Sequence, residues 1–166
     1  IRDNVMRLTL LRGTTAPDPM ADYGVHQFKY SLYPHAGSWN ERTVAEAYAL
    51  NDEVIVFQTK NRRRKTENPV SDHRSSVEGH SFITANRENT VIETIKRAED
   101  GNGIIVRLYE SQRQRGAFVL TTAFDLKAAW RTNLLEENQE EIAVKDNQLH
   151  YQIRPYQILT LRLIER

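Results

Sequence analysis

Paired carboxylates are the first residues in this chain that could do chemistry. Asp18 and Asp22 stand close together, and Glu136, Glu137, Glu140 and Glu141 crowd a second stretch. Two carboxyl groups about 5–5.5 Å apart can cleave a glycosidic bond with retention, one as nucleophile and the other as acid and base. Asp18 and Asp22, however, lie among Pro17, Pro19 and Gly24, where aspartate commonly stabilises turns. The glutamates follow Asn133-Leu134-Leu135 in a polar stretch between strands, which reads as a solvated surface run. Neither group is read as a catalytic pair.

Histidines could bind a metal, but His26, His35, His73, His80 and His150 are scattered and show no HExxH spacing. No metal site is expected within the chain. Without cysteine, thiolate zinc sites, disulfides and cysteine nucleophiles are excluded. Trp39 and Trp130 could stack on sugar rings; the competing reading buries both in a core or a domain interface. The basic run Arg62 to Lys65 lacks interleaved aromatic residues for base stacking, and the formal net charge is only +1. Nucleic acid is not the expected partner.

The elements that must position these residues are mostly strands. Val5 to Leu11 places Met6, Leu8 and Leu10 on one side, and His26 to Tyr33 alternates Phe28, Tyr30 and Leu32 with polar residues. Thr14 to Gly24 is a loop between them. The Ser38 to Glu41 spacing suggests a capping box opening a helix at about residues 40–50. Val54 to Gln58 reads as a short strand, and residues 60–79 as a polar, mobile loop. Strands are then expected at 80–85, 90–97, 103–110, 117–123, 128–131, 142–145, 148–154 and 157–164. Turn signals such as Asp100-Gly101-Asn102-Gly103 and Asp146-Asn147 separate them. Many short strands at this spacing predict an all-β, antiparallel β-sandwich with one short helix. Residues 1–85 are read as the end of one β unit and 86–166 as a C-terminal antiparallel β unit.

Two stretches carry a family resemblance. Leu8-Thr9-Leu10-Leu11-Arg12, Pro17-Asp18-Pro19, Ala21-Asp22-Tyr23-Gly24, His26, Phe28, Tyr30 and Leu32 to His35 form the first. Val91 to Lys96, Gly103 to Glu110, Thr132 to Glu136, Ile153-Arg154-Pro155 and Thr160 to Leu163 form the second. Together they resemble the C-terminal region of bacterial and vacuolar-type glycoside hydrolase family 38 α-mannosidases. The resemblance implies the end of a galactose-mutarotase-like supersandwich followed by a small C-terminal β unit. It implies a parent enzyme that hydrolyses α-mannosides with retention, using a zinc ion and an aspartate nucleophile in an N-terminal catalytic domain. No counterpart of those motifs occurs here, so the chain is expected to be an inactive accessory domain. The alternative is a stand-alone carbohydrate-binding module.

The same resemblance places an arginine at the end of the first strand near the sugar pocket. Arg12, with Asp18, Asp22 and His26 in the loop that follows, is therefore a candidate to line or brace that pocket. A fixed guanidinium fork suits a sugar hydroxyl or a carboxylate. The opposing reading makes Arg12 a structural tie for the long loop. The expected partners are the α-mannoside, the catalytic domain and a second copy in a homo-oligomer. No apolar run reaches the roughly 20 residues of a membrane helix, and a cytoplasmic bacterial setting is expected. The chain opens at Ile1 in a strand-like segment and reads as a piece of something longer.

Overall fold

The computed structural model describes residues 3, 5–52, 54–56 and 79–166. Its one described helix, α1, spans Glu41–Asn51. Nine strands follow: β1 Ile83–Ala85, β2 Thr90–Arg97, β3 Ile104–Glu110, β4 Gly116–Thr122, β5 Leu126–Thr132, β6 Asn138–Ile142, β7 Val144–Lys145, β8 Gln148–Ile153 and β9 Ile158–Glu165. They form two antiparallel sheets, ordered β1-β4-β8-β7 and β2-β3-β9-β5-β6. β1 pairs with β4 through Ile83 and Thr122, so the sandwich already begins at Ile83.

Period-2 alternation builds the core. Val106 and Leu108 of β3, with Leu159, Leu161 and Leu163 of β9, meet Phe118 and Leu120 of β4 and Leu149 and Ile153 of β8. Each is at most 2% exposed. Burying one such side chain contributes about 1.5–3 kcal/mol relative to leaving it in water.

β2 departs from strict alternation. Its pairing with β3 shifts register between Ile92 and Thr94, leaving Glu93 as an extra residue. Ile92 lies opposite core residue Leu108, whereas Lys96 lies opposite Ile105 on the other side of the sheet. The bulge thus turns Lys96 outward. On that outer face, register aligns Lys96, Ile105, Arg162, Trp130 and Glu141 in one row across five strands.

Several sequence expectations are corrected. Apart from an isolated bridge at Val5, residues 5–35 join no sheet among the described residues. Met6, Leu8, Phe28, Tyr30 and Leu32 remain 47–71% exposed because no second strand lies against them there. Val54 to Val56 lie outside any sheet too, while 57–58 fall outside the described residues. Residues 57–78 lie outside as well, and with them the basic run, His73 and almost all of the expected loop. The strand expected at 142–145 is two, β6 and β7, which belong to different sheets. The capping box sits two residues later than expected. Asn40 Oδ1 accepts the Thr43 N–H at 3.2 Å, and Thr43 Oγ1 accepts the Asn40 N–H at 3.2 Å. Asn40 is a strong cap directly before the helix, so it prevails over Ser38.

Candidate functional site

The loop after Arg12 is held by its own aspartates. Asp18 Oδ1 accepts the Met20 N–H at 2.9 Å, an aspartate-stabilised turn. Asp22 closes the loop base, its Oδ2 accepting the Thr14 N–H at 3.1 Å. His26 Nε2 lies 2.9 Å from the Asp22 carbonyl, and its ring stacks near Phe28 at 6.1 Å. The structure therefore joins Asp22 to His26. Arg12 is exposed and makes no hydrogen bond or ion pair among the described residues. Among the described residues, the contacts that tie this loop come from Asp22 and His26.

The glutamate stretch is not the solvated run its composition suggests. Glu136 is only 4% exposed, and its backbone takes φ 66°. One carboxylate oxygen pairs with Lys96 Nζ at 2.9 Å, and the other accepts the Glu99 N–H at 2.8 Å. Arg107 approaches within 3.7 Å. Arg162, itself buried, donates Nη2 to the Glu136 carbonyl at 2.8 Å and Nη1 to the Asp100 carboxylate at 2.7 Å. Glu136 was misread because its cations arrive from β2 and β3, far away in sequence. Glu137, Glu140 and Glu141 are exposed, as expected.

A second buried carboxylate, Glu110, is 1% exposed. It accepts the Asn89 amide at 2.8 Å, the Gln112 N–H at 2.8 Å and the Tyr156 N–H at 2.9 Å. Sequence periodicity gave no sign of it, since Glu110 ends a strand where charge usually meets water. Both buried carboxylates are thus committed to structural donors.

These pairings set a pH window. Hydrogen bonding from the Glu99 N–H, and then from Lys96, holds the Glu136 carboxyl below its ordinary 4.5. Pairing with Glu99, then Glu136, raises Lys96 above 10.5. A depressed carboxyl stabilises the fold above its unfolded pKa and loses that contribution as pH falls through the folded value. The raised ammonium contributes below its unfolded pKa and loses that contribution as pH climbs through the folded value. Stability is expected to be flat between these limits and to fall on both sides. Urea midpoints measured across pH check this, and Glu136→Gln should flatten the acid limb.

The remaining candidates do not converge. Trp39 is 54% exposed, so it is not part of this chain's core; of the expected core or domain-interface burial, only the core is excluded. Trp130 is half-buried on the outer face of β5. His150 points outward from β8, and His80 meets Phe82 edge-on. Among the described residues no three His, Cys, Asp or Glu side chains gather around a point. They offer no site for a zinc ion, which the family resemblance places in a catalytic domain outside these residues. Between α1 and the outer face of β3 lies a cavity of about 500 Å³, walled by Val44, Tyr109, Tyr156 and Ile158 with Glu93 and Arg107. Tyr48 Oη lies 3.2 Å from Tyr109 Oη. Burial, then the Tyr48 hydroxyl and the nearby Glu93 charge, push the Tyr109 phenol up to about 12, so it stays neutral.

Residues 89–161, from the foot of β2 into β9, match the family model for "Glycosyl hydrolases family 38 C-terminal beta sandwich domain". Over that stretch the sandwich resembles family 38 C-terminal domains. The full chain is 36% identical to "Alpha-mannosidase G" of Dictyostelium discoideum over 162 residues, covering 95% of this chain and 14% of that protein. It is 32% identical to "Alpha-mannosidase 2C1" of Mus musculus, covering 99% of this chain and 15% of the relative. An "Alpha-mannosidase" of Saccharomyces cerevisiae is 31% identical, with 96% of this chain and 16% of the relative covered. The chain thus spans about one seventh of the length of these relatives. Within the sandwich the buried carboxylates Glu110 and Glu136 act as struts, each held by structural donors.

Proposed function

We propose that this chain is the accessory C-terminal β region of a zinc-dependent, retaining α-mannosidase whose chemistry lies in a catalytic domain elsewhere in the parent polypeptide. The carrying observation is the match of nearly the whole chain to a short stretch of several α-mannosidases. The fate of the carboxylates supports it. Retaining hydrolysis needs a carboxylate pair facing a substrate, whereas Glu110 and Glu136 are occupied by backbone amides and cations.

In this reading Arg12 reaches toward the mannoside pocket, and Asp18, Asp22 and His26 shape the loop behind it. The exposed guanidinium suits that role, since its planar donor fork matches a hydroxyl or carboxylate. The parent is a cytoplasmic bacterial homo-oligomer in the same reading.

Aryl α-mannoside turnover tests both points. The isolated chain is expected to release no aglycone with added zinc, and the parent enzyme to turn over. Arg12→Ala in the parent is expected to lower kcat/KM by roughly 10- to 100-fold, the loss of one charge-assisted contact, with an unchanged melting temperature. Hydrolysis by the chain alone rejects the division of labour. Unchanged kcat/KM in Arg12→Ala rejects the pocket role alone.

A further inference from the structure

The turn between β2 and β3 holds the one Asn-Gly pair in the sequence, Asn102-Gly103. An asparagine loses its side-chain amide when the nitrogen of the next residue attacks Cγ. Glycine permits that attack best, because no Cβ obstructs the approach. In a folded chain the surroundings decide whether the reaction proceeds. Here the amide is free to react. Asn102 is exposed, and among the described residues its side chain takes part in no hydrogen bond. The side chains of Asn86, Asn89, Asn133 and Asn147 are instead each engaged. The nucleophile is uncommitted as well. The turn's hydrogen bonds use the N–H groups of Ala98, Gly101 and Asn102 and omit that of Gly103.

A cation also sits where charge develops. The Gly103 nitrogen attacks as an amidate, and resonance puts much of the negative charge on the oxygen of the same peptide bond. That oxygen is the Asn102 carbonyl, which accepts Arg162 Nη1 at 2.8 Å. A preorganised donor at this distance stabilises a developing oxyanion, most strongly where water is excluded. Arg162 is only 5% exposed, and its bonds to the Asp100 carboxylate and the Glu136 carbonyl hold the guanidinium in place. Asn102 itself borders a hollow of about 310 Å³, roomy enough for the water that completes the reaction.

We infer that Asn102 is a self-modifying residue of the folded protein, deamidated by the Gly103 nitrogen with Arg162 stabilising the charge that forms. The Gly103 N–H gives its proton to solvent, and the nitrogen bonds to Asn102 Cγ. The Cγ–Nδ2 bond breaks, and the amide nitrogen takes up a proton and leaves as ammonia. Water then opens the cyclic imide. Cleavage between the Gly103 nitrogen and Cγ yields aspartate. Cleavage between that nitrogen and the Asn102 carbonyl carbon yields isoaspartate. One water is consumed for each ammonia released. Isoaspartate carries an extra carbon in the main chain. Gly103 is tight against β9, where an added Cβ would lie 2.4 Å from the Leu163 carbonyl oxygen. The turn itself must absorb the extra carbon, which loosens the Arg162 clamp.

The test ages the full-length parent protein in mildly alkaline buffer and digests it with trypsin. Cleavage after Arg97 and Arg107 frees the peptide Ala98–Arg107, in which Asn102 is the one amide side chain. Its mass should rise by the exchange of an amino for a hydroxyl group, and an isoaspartate-specific methyltransferase should label part of the product. Isomerisation at Asp100 leaves the mass unchanged, so the two sites are distinguishable. Conversion in the folded protein should be at least as fast as in the synthetic peptide of the same sequence, which has no guanidinium on the carbonyl. Asn102→Gln should abolish it. Arg162→Gln should slow it roughly tenfold, the loss of one charge-assisted contact, with amide exchange in β3 and β9 reporting that the strands stay paired. The converted protein should unfold at lower urea than fresh protein, whereas Asn102→Asp, with its ordinary main chain, should not. Slower conversion in the folded protein than in the peptide overturns the inference, because the turn then shields Asn102. That comparison stands whether or not the Arg162 variant folds, and it needs no catalytic activity.

Discussion

Replacing Glu110 by alanine is expected to destabilise the sandwich by about 2–3 kcal/mol, a large fraction of a small domain's stability. The cost does not come from a broken ion pair. Glu110 accepts the Asn89 amide and backbone N–H groups including those of Gln112 and Tyr156, and among the described residues it meets no cation. Burial pushes its carboxyl up, but hydrogen bonds from the Tyr156, Gln112 and Gln114 backbones and the Asn89 side chain together outweigh that and leave it below 4.5. The folded state therefore prefers the charged form. Its contribution is present above the unfolded pKa and lost as pH falls through the depressed folded value. Alanine leaves those donors without an acceptor. Glutamine keeps one oxygen and should cost about half as much. The damage should be local first. The Tyr156 turn, where φ is 54°, loses the acceptor for its N–H, so exchange in residues 154–157 should rise before global unfolding. Urea denaturation with residue-level hydrogen exchange measures both effects. Equal stability for wild type and alanine variant would mean that water replaces the carboxylate.

Gly103→Ala should cost about 3 kcal/mol or more, through sterics rather than charge. Gly103 has φ 90°, and an added Cβ would lie 2.4 Å from the Leu163 carbonyl oxygen and 2.6 Å from Ile164 Cδ1. The obstructing atom is backbone of β9, so no rotamer relieves the clash. Gly101 supplies the control. It also has positive φ, 75°, but nothing within 4 Å of its added Cβ. Gly101→Ala should therefore cost only the left-handed penalty, about 1–2 kcal/mol. The difference between the two denaturation midpoints isolates the close approach of β3 to β9. Equal losses in the two variants would show that the strands separate without penalty.

The strands of the sandwich were legible because their signal is local. Leu159, Leu161 and Leu163 alternate in sequence and all lie in the core, and Leu149, Tyr151 and Ile153 mark one face of β8 in the same way. The polar side of β9 follows no such pattern. Thr160 and Arg162 are 3% and 5% exposed, and Arg162 is held by the turn before β3 and the loop after β5. No periodicity encodes such contacts. In residues 5–35 the alternation was real but insufficient, since a strand also needs a neighbour. For the candidate loop, turn chemistry located Asp18 and Asp22 correctly, and the Asp22–His26 contact follows from their short separation. The pocket role proposed for Arg12 rests on family resemblance alone. The buried stations of Glu110 and Glu136 depend on partners dozens of residues away, and nothing near either residue announces them.

The extra residue at Glu93 makes strand length matter as much as strand composition. Ahead of it Ile92 faces the core, and beyond it Lys96 faces outward to reach Glu136. Were the ladder regular through that position, the parity of everything downstream in β2 would invert, sending an ammonium toward oil and orphaning the carboxylate it serves. A substitution in the strand alters one side chain, whereas losing the bulge with the residue count kept would exchange inside and outside beyond it. Among homologous chains, absence of one residue at this point should go with absence of the bulge and the same outward facing of Lys96.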